Sequence, residues 1–325
     1  MNVSVVIPAY NAAAFIGAAL DSVARQRPAP AEIIIIDDGS LDTTAAIVDL
    51  WIAAHPRPPA RLLAQPNGGI SAARNAGILA AGGDWIALLD ADDVWEPDHL
   101  AQLALAWQLA PEAIAVYGAG QLLVDGEVRP GYYDAYWDSP ALALGKPIAD
   151  SPCMLLDTSI VDRLIRGNFI KPSSLMMRRA AALAAGLFDT SLRASEDREF
   201  LIRLIFQGNF IYNPVPISQY RWHSDNSTAD KNTLRNMVCA LAALQVLRQD
   251  RKKLLNPRQC LILHDEIGNA VCAYLYTCAR NGIRPYAAAL QLVWQLFGIR
   301  SLLRALKLRH LAHCLIAAVT AVKQV

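Results

Sequence analysis

The sequence predicts an open, Rossmann-like α/β sheet followed by a helical C-terminal region. In the first half, short apolar runs rich in β-branched residues alternate with amphipathic helix patterns, the signature of strands buried on both faces of a parallel sheet. From Leu234 onward only helical periodicity is left. Over 325 residues, 54% are hydrophobic and 18% charged, enough for a sizeable core and too apolar for disorder.

The expected strands are Val3–Pro8, Ile33–Ile36, Leu62–Ala64 and Trp85–Leu89. Between them, Ile47, Leu50, Trp51 and Ala54 fall at i, i+3, i+4 and i+7, as do Leu100, Leu103, Ala104 and Trp107, with Pro97 at the expected helix start. Ala113–Val116 reads as a further strand, and Gln121–Val128 as a hairpin turning at Asp125-Gly126. Gly118-Ala119-Gly120 begins a G-x-G-x-x-G pattern. Leu123 takes the place of the third glycine and no helix pattern follows, so a dinucleotide fingerprint is not expected. The aromatic group Tyr132, Tyr133, Tyr136 and Trp137 admits two readings, packing between domains or a stacking face for a sugar.

A formal net charge of +1 speaks against a nucleic-acid binder. The average hides an asymmetry: residues 267–325 hold Arg280, Arg284, Arg300, Arg304, Lys307, Arg309 and Lys323 and no acid, which leaves about −6 on residues 1–266. The six cysteines form no C-x-x-C pair and are expected to be small core residues in a reducing compartment. Met1 runs straight into the first strand, without a basic segment ahead of an apolar one, and Leu311–Val322 is too short to span a bilayer. A cytoplasmic chain is expected. The stretch Leu290–Val322, apolar residues interleaved with basic ones, fits peripheral contact with an anionic inner leaflet. Helices packed on the preceding domain, their cations in water, are the alternative.

Four polar clusters fall at the carboxyl ends of the first four strands, where ligands of such sheets bind. They are Pro8-Ala9-Tyr10-Asn11, Asp37-Asp38-Gly39-Ser40, the segment from Asn67-Gly68-Gly69 to Arg74-Asn75, and Asp90-Ala91-Asp92-Asp93. The mixture suits a nucleotide diphosphate. A base can stack on Tyr10 and donate a ring N–H to Asp38. Asp90 and Asp92, on one side of an extended segment, can bring two carboxylates to a hard cation beside the pyrophosphate. Gly68-Gly69 permits a close backbone approach at a helix start, with Arg74 further along. Plainer readings stand beside these: a turn and helix cap at Asp37–Ser40, a solvated loop at Asp90–Asp93, and Arg74 paired on its own helix.

In this order and near these spacings, VVIPAYN, DDGS, NGGISAARN and LDADD closely resemble the family 2 glycosyltransferases. The resemblance continues through Gly186-Leu187-Phe188-Asp189, Ser195-Glu196-Asp197, Leu201-x-Arg203 and Tyr220-Arg221-Trp222-His223, from about Asn2 to Ser227. It implies the GT-A fold, with a catalytic domain over 1–228 (donor half about 1–125, acceptor half about 126–228) ahead of the helical region 229–325. It implies an inverting transfer from a nucleotide-diphosphate sugar, a UDP-sugar by default, to a glycan or lipid-linked acceptor in cell-surface polysaccharide or glycolipid assembly. Asp197 matches the family's catalytic base. The donor is expected along Pro8, Ala9, Tyr10, Asn11, Asp38, Asn67, Gly69, Arg74, Asp90, Ala91 and Asp92. Mg²⁺ or Mn²⁺ is expected on Asp90 and Asp92 of the DxD motif, with Asp93 and His223 as further ligands. A sugar-nucleotide pyrophosphorylase would show a G-x-G-x-R loop near the first strand, and Pro8-Ala9-Tyr10-Asn11 is not one. A non-catalytic relative would have no use for Asp38, Asp90, Asp92 and Asp197 together.

Overall fold

The computed structural model describes residues 1–129, 139–224, 226 and 230–306. The aromatic group at 132–137 and the apolar stretch 311–322 lie outside the described residues. The chain divides into two compact units, Met1–Ser224 and Asp225–Val325.

The first unit opens with β1 (Val3–Ala9), α1 (Ile16–Ala24), β2 (Glu32–Asp37), α2 (Thr44–Ala54), β3 (Ala60–Ala64), α3 (Ile70–Ala80) and β4 (Trp85–Leu88). Strands β3, β2, β1 and β4 lie side by side and parallel. All seven residues of β1 are buried, which explains its unbroken apolar run. The strand order reverses between β1 and β4, the place where open α/β sheets bind ligands.

A two-residue strand, β5 (Val94–Trp95), precedes α4 (His99–Gln108). Pro97 lies in the turn before that helix rather than at its first position. β5 pairs with a later strand, and the Glu96 N–H still bonds to the Ile217 carbonyl, so the chain cannot coil until it leaves the sheet. Next come β6 (Ala115–Val124), β7 (Glu127–Arg129), α5 (Ser139–Leu144), β8 (Lys146–Pro147), β9 (Met154–Leu156), α6 (Val161–Arg166), β10 (Leu175–Arg178), α7 (Arg179–Ala184), α8 (Glu196–Ile205) and β11 (Phe210–Trp222). They extend the sheet in the order β4-β10-β6-β11-β9-β8, with β10 antiparallel to both neighbours.

The expected break between Val116 and Gln121 does not exist; β6 is one strand. Its Gly118-Ala119-Gly120 faces a bulged stretch of β11 around Pro216, and a Cβ on Gly118 would come within 2.4 Å of Ile217. The glycine there admits a close neighbour rather than a phosphate. The hairpin at Asp125-Gly126 is as expected, with positive φ at both residues (51° and 82°), the primed turn that suits a two-residue loop.

The second unit holds α9 (Thr233–Gln249), α10 (Pro257–Arg280) and α11 (Ile283–Ala305). Asn256 and Gln259 form a reciprocal capping box at the start of α10, with Pro257 at the first helical position. Gly298 (φ 78°) interrupts α11. Among the described residues no helix is long and apolar enough to cross a membrane. Of the described cysteines, Cys153 and Cys278 are buried; Cys239, Cys260 and Cys272 are half-buried.

Helix α3 lies directly on β1, and a Cβ on Gly77 would fall 2.3 Å from the Val6 side chain. Overpacking of this kind costs about 1–3 kcal/mol. Gly77→Ala should therefore lower the denaturation midpoint by a comparable free energy in a chemical melt, with the m-value unchanged.

Candidate functional site

At the end of β1, Pro8 and Ala9 are buried in the strand, whereas Tyr10 is 49% exposed. Asn11 has φ 50°; its amide donates to Ser40 Oγ (3.0 Å) and its Oδ1 accepts from the Leu41 amide (2.8 Å). The first two loops are thereby laced together. Asp38 is buried and takes hydrogen bonds from Gln65 Nε2 (2.6 Å) and the amides of Gly68 (2.9 Å) and Gly69 (2.8 Å). Most of its acceptor capacity goes into folding the glycine turn, and Tyr10, Asn11 and Asn67 are the exposed groups of this rim.

The Asp90–Asp93 segment is not extended. It is a turn closed by the Asp93 amide on the Asp90 carbonyl (3.1 Å), so the three carboxylates point to different partners. Asp90 accepts from Arg74 Nη2 at 2.8 Å. Asp92 stands 3.1 Å from His223 Nε2, and Ala91, between the two aspartates in the chain, is buried. Asp93 turns inward, accepting from Ser173 Oγ (2.5 Å) and the Arg221 amide (3.1 Å). Burial, reinforced by Asp92, pushes Asp93 up to about 8. Burial, with the charge of Asp90, also raises Asp92, against the pull of His223. His223 is held by a tilted ring contact with Phe15, centroids 4.4 Å apart.

Helix α3 explains why its sequence carries so many polar residues. Ser71 Oγ donates to the Leu192 carbonyl (3.3 Å), Arg74 Nη1 to Glu196 (2.8 Å), and Asn75 exchanges two hydrogen bonds with the backbone of Phe188. These positions share one helix face, and that face docks the segment leading into α8. Arg74 is not paired on its own helix: it is 1% exposed and bridges Asp90 to Glu196. Both carboxylates hold its charged form more firmly than usual. Glu196 is pushed up to about 7, by burial first and by neighbouring Asp197 second.

Asp197 follows Ser195 (φ 61°) and is only partly buried. One oxygen accepts from Asn168 Nδ2 (2.6 Å) and the other from the Arg198 amide (2.7 Å). Behind it, Arg203 pairs with buried Glu199 and donates to the carbonyls of Ala185 and Leu187, which fixes the helix against the preceding loop. The arrangement is a rigid carboxylate at a helix start, tied through Glu196 and Arg74 to the end of β4.

Sequence reasoning missed Lys171, Ser173 and Asn168. Lys171 is half-buried, with its Nζ 2.9 Å from the centroid of the Tyr220 ring. Burial lowers it to about 8, against the attraction of Asp93, Asp90, Asp92 and Asp197. These residues sit before β10 in a stretch without motif or periodicity, and the β10–β4 pairing and the packing of α6 on α8 bring them to the site.

Of the four metal candidates, Asp92 and His223 offer an oxygen–nitrogen pair, Asp90 is engaged by Arg74, and Asp93 faces inward. Among the described residues no three His, Cys, Asp or Glu side chains gather closely enough to hold an ion alone. The pair does fit an ion shared with a diphosphate, since Mg²⁺ commonly takes one or two carboxylates and completes its shell with phosphate oxygens and water.

Residues 4–132 match the family model for glycosyl transferase family 2. The chain is 34% identical over 200 residues to the succinoglycan biosynthesis protein ExoO of Rhizobium meliloti (strain 1021), covering 60% of this chain and 53% of that one. It is 42% identical over 96 residues to the chondroitin synthase of Pasteurella multocida (strain Pm70), covering 30% of this chain and 10% of the other. Over residues 4–132 the chain is therefore a family 2 glycosyltransferase sequence. It spans about half the length of the succinoglycan relative and a tenth of the synthase. S. aureus TarS in complex with UDP superposes with a TM-score of 0.61 at 16% identity, covering 96% of this chain and 83% of that one. The mannosyltransferase PcManGT of Pyrobaculum calidifontis, with GDP-Man and Mn²⁺, gives 0.59 at 20% identity, covering 98% and 84%. The fold is therefore GT-A, as the sequence suggested.

Arg74→Met should strand Asp90 and Glu196 without their cation and destabilise the chain by about 3–5 kcal/mol in denaturant melts. Because Glu196 titrates higher when folded than its ordinary 4.5, its contribution to stability is full below about pH 4.5. That contribution falls away as pH rises toward about 7. Glu196→Gln should flatten that decline in a pH series of melting temperatures.

Proposed function

We propose that this chain is an inverting glycosyltransferase. It moves a sugar from a nucleotide diphosphate, UDP-linked by default, to a hydroxyl of a glycan or lipid-linked glycan in cell-surface polysaccharide or glycolipid assembly. The observation that carries the reading is Asp197: a partly exposed carboxylate held at both oxygens by Asn168 and its own helix start, and linked by the Glu196–Arg74–Asp90 bridge to the loop after β4. A single fixed base beside a crevice at the strand ends suits one in-line displacement.

In that displacement Asp197 takes the proton of the acceptor hydroxyl as its oxygen forms the new bond to the anomeric carbon. The bond from that carbon to the diphosphate oxygen breaks with inversion, and the electron pair leaves with the nucleotide diphosphate. Tyr10 offers an exposed aromatic face for the base, beside Pro8, Ala9, Asn11 and Asn67. Asp38 acts by shaping the Gly68-Gly69 turn, and Arg74 by holding Asp90 and Glu196 in register, so both are positioning residues. Asp92 and His223 would hold Mg²⁺ or Mn²⁺ together with the diphosphate, and the ion would supply Lewis-acid stabilisation of the leaving charge. Lys171 adds a cation from the protein itself.

Support for the nucleotide comes from TarS and PcManGT, which were crystallised with UDP and with GDP-Man and Mn²⁺. Support for a polysaccharide context comes from the succinoglycan and chondroitin relatives. The basic C-terminal helices are part of the same reading, as a peripheral contact with the inner face of a membrane.

A titration panel of UDP-, GDP-, CDP- and dTDP-sugars with and without Mn²⁺ tests the donor. One nucleotide class should stabilise the chain in a metal-dependent way, and stabilisation by none would overturn the assignment. Asp197→Asn should lower the transfer rate by about 10²–10⁴-fold while leaving donor affinity within a few-fold; normal turnover by this variant would remove Asp197 as the base.

A further inference from the structure

The second unit contains a cavity that the transfer reaction does not use. It has a volume of about 500 Å³, within the range of small-ligand sites, and is formed where α9, α10 and α11 meet. Each helix contributes one basic side chain: Arg248 from α9, His264 from α10 and Arg300 from α11. Phe297 forms an apolar wall, with Arg248 lying 5.9 Å from its ring centroid, and Ser301 adds a hydroxyl. Gly298, with φ 78°, breaks α11 at this point, so the break aims Arg300 and Ser301 into the cavity. Among the described residues, neither Arg248 nor Arg300 has an ion pair, and no acidic side chain lines the cavity. The two guanidinium charges, brought together from separate helices, repel unless an anion lies between them.

The surroundings indicate what kind of anion. Large apolar side chains stand in solvent next to the cavity: Leu261, one turn before His264, is 68% exposed. Ile299 at 52% and Leu303 at 61% flank Arg300 on α11. Trp294, one turn before Gly298, is 59% exposed. A cationic pocket for a phosphate, rimmed by aliphatic and indole side chains, matches the boundary between lipid headgroups and acyl chains. The run from residue 267 to the end of the chain, seven cations and no acid, extends the same polarity.

We propose that this cavity binds the phosphate of an anionic lipid headgroup while Leu261, Trp294, Ile299 and Leu303 enter the acyl boundary beside it. The proposal deepens the membrane contact in the reading above and is independent of the donor site. The two fail separately, because the test needs neither nucleotide nor transfer.

The test uses the full chain, vesicles of phosphatidylglycerol mixed with phosphatidylcholine, and vesicles of phosphatidylcholine alone. Co-sedimentation should occur with the anionic vesicles and not with the neutral ones. Arg248→Gln combined with Arg300→Gln should weaken it at least tenfold. Arg280→Gln combined with Arg284→Gln removes the same charge from exposed positions outside the cavity and should change it less than twofold. A soluble short-chain phosphatidylglycerol should bind by calorimetry, and the cavity variant should lose that binding. Equal losses in the two double variants would mean diffuse charge and overturn the site. Unchanged binding in the cavity variant would do the same. Inorganic phosphate binding as tightly as the short-chain lipid would overturn the assignment to a lipid.

Discussion

The first unit depends on one buried guanidinium. Arg74 leaves α3 and holds Asp90, at the end of β4, and Glu196, at the start of α8, each at 2.8 Å. These two carboxylates are 16 and 122 residues away in the chain. A charge this deeply buried is tolerated only with partners of opposite sign in good geometry. The bridge therefore fixes the strand end and the helix start relative to each other. Ser71 and Asn75 reinforce it from the same face of α3, so one helix sets the place of the loop that presents Asp197.

The same arrangement answers an electrostatic problem. Asp90, Asp92, Asp93 and Asp197 crowd one region, and carboxylates in that density repel. The protein separates them by a turn that points the first three to different partners, and it adds Arg74 and Lys171 as internal cations. Asp93 is buried deepest and is pushed toward its protonated form, while Asp92 remains paired with His223 at the edge. Asp92 is thus the half-exposed carboxylate of the turn, while Asp90 and Asp93 are held by Arg74 and Ser173. The second unit repeats the theme with the opposite sign. Arg248 and Arg300, with His264 beside them, line a cavity with no acid among the described lining residues, an arrangement favourable around a phosphate.

Much of this was legible in the sequence. The first four strands could be read because parallel strands buried on both faces leave continuous apolar runs, and Val3–Ala9 and Glu32–Asp37 are such strands. The hairpin at Asp125-Gly126 was legible because positive φ restricts the residues allowed there. The glycine turn before α3, the carboxylate turn after β4 and the Glu196-Asp197 pair were legible as motifs, each within a few residues of chain. Local errors came from sheet pairing. The Glu96–Ile217 bond delays α4 beyond Pro97, and the bulge in β11 keeps Gly118 and Gly120 inside a strand.

What the sequence determined by itself was the alternation of elements, the family resemblance and the residue types at the strand ends, because these depend on periodicity and short spacing. Only the tertiary structure decided which charge meets which: Arg74 turned inward to Asp90 and Glu196, Asp38 spent on the glycine turn, Lys171 set among the acids, and Asn168 placed on Asp197. Hydrogen bonds and ion pairs have ranges of a few ångströms, and the partners lie up to 131 residues apart in the chain, as Asp92 and His223 do. Chain spacing carries no information about such pairs until the sheet order has brought the segments together.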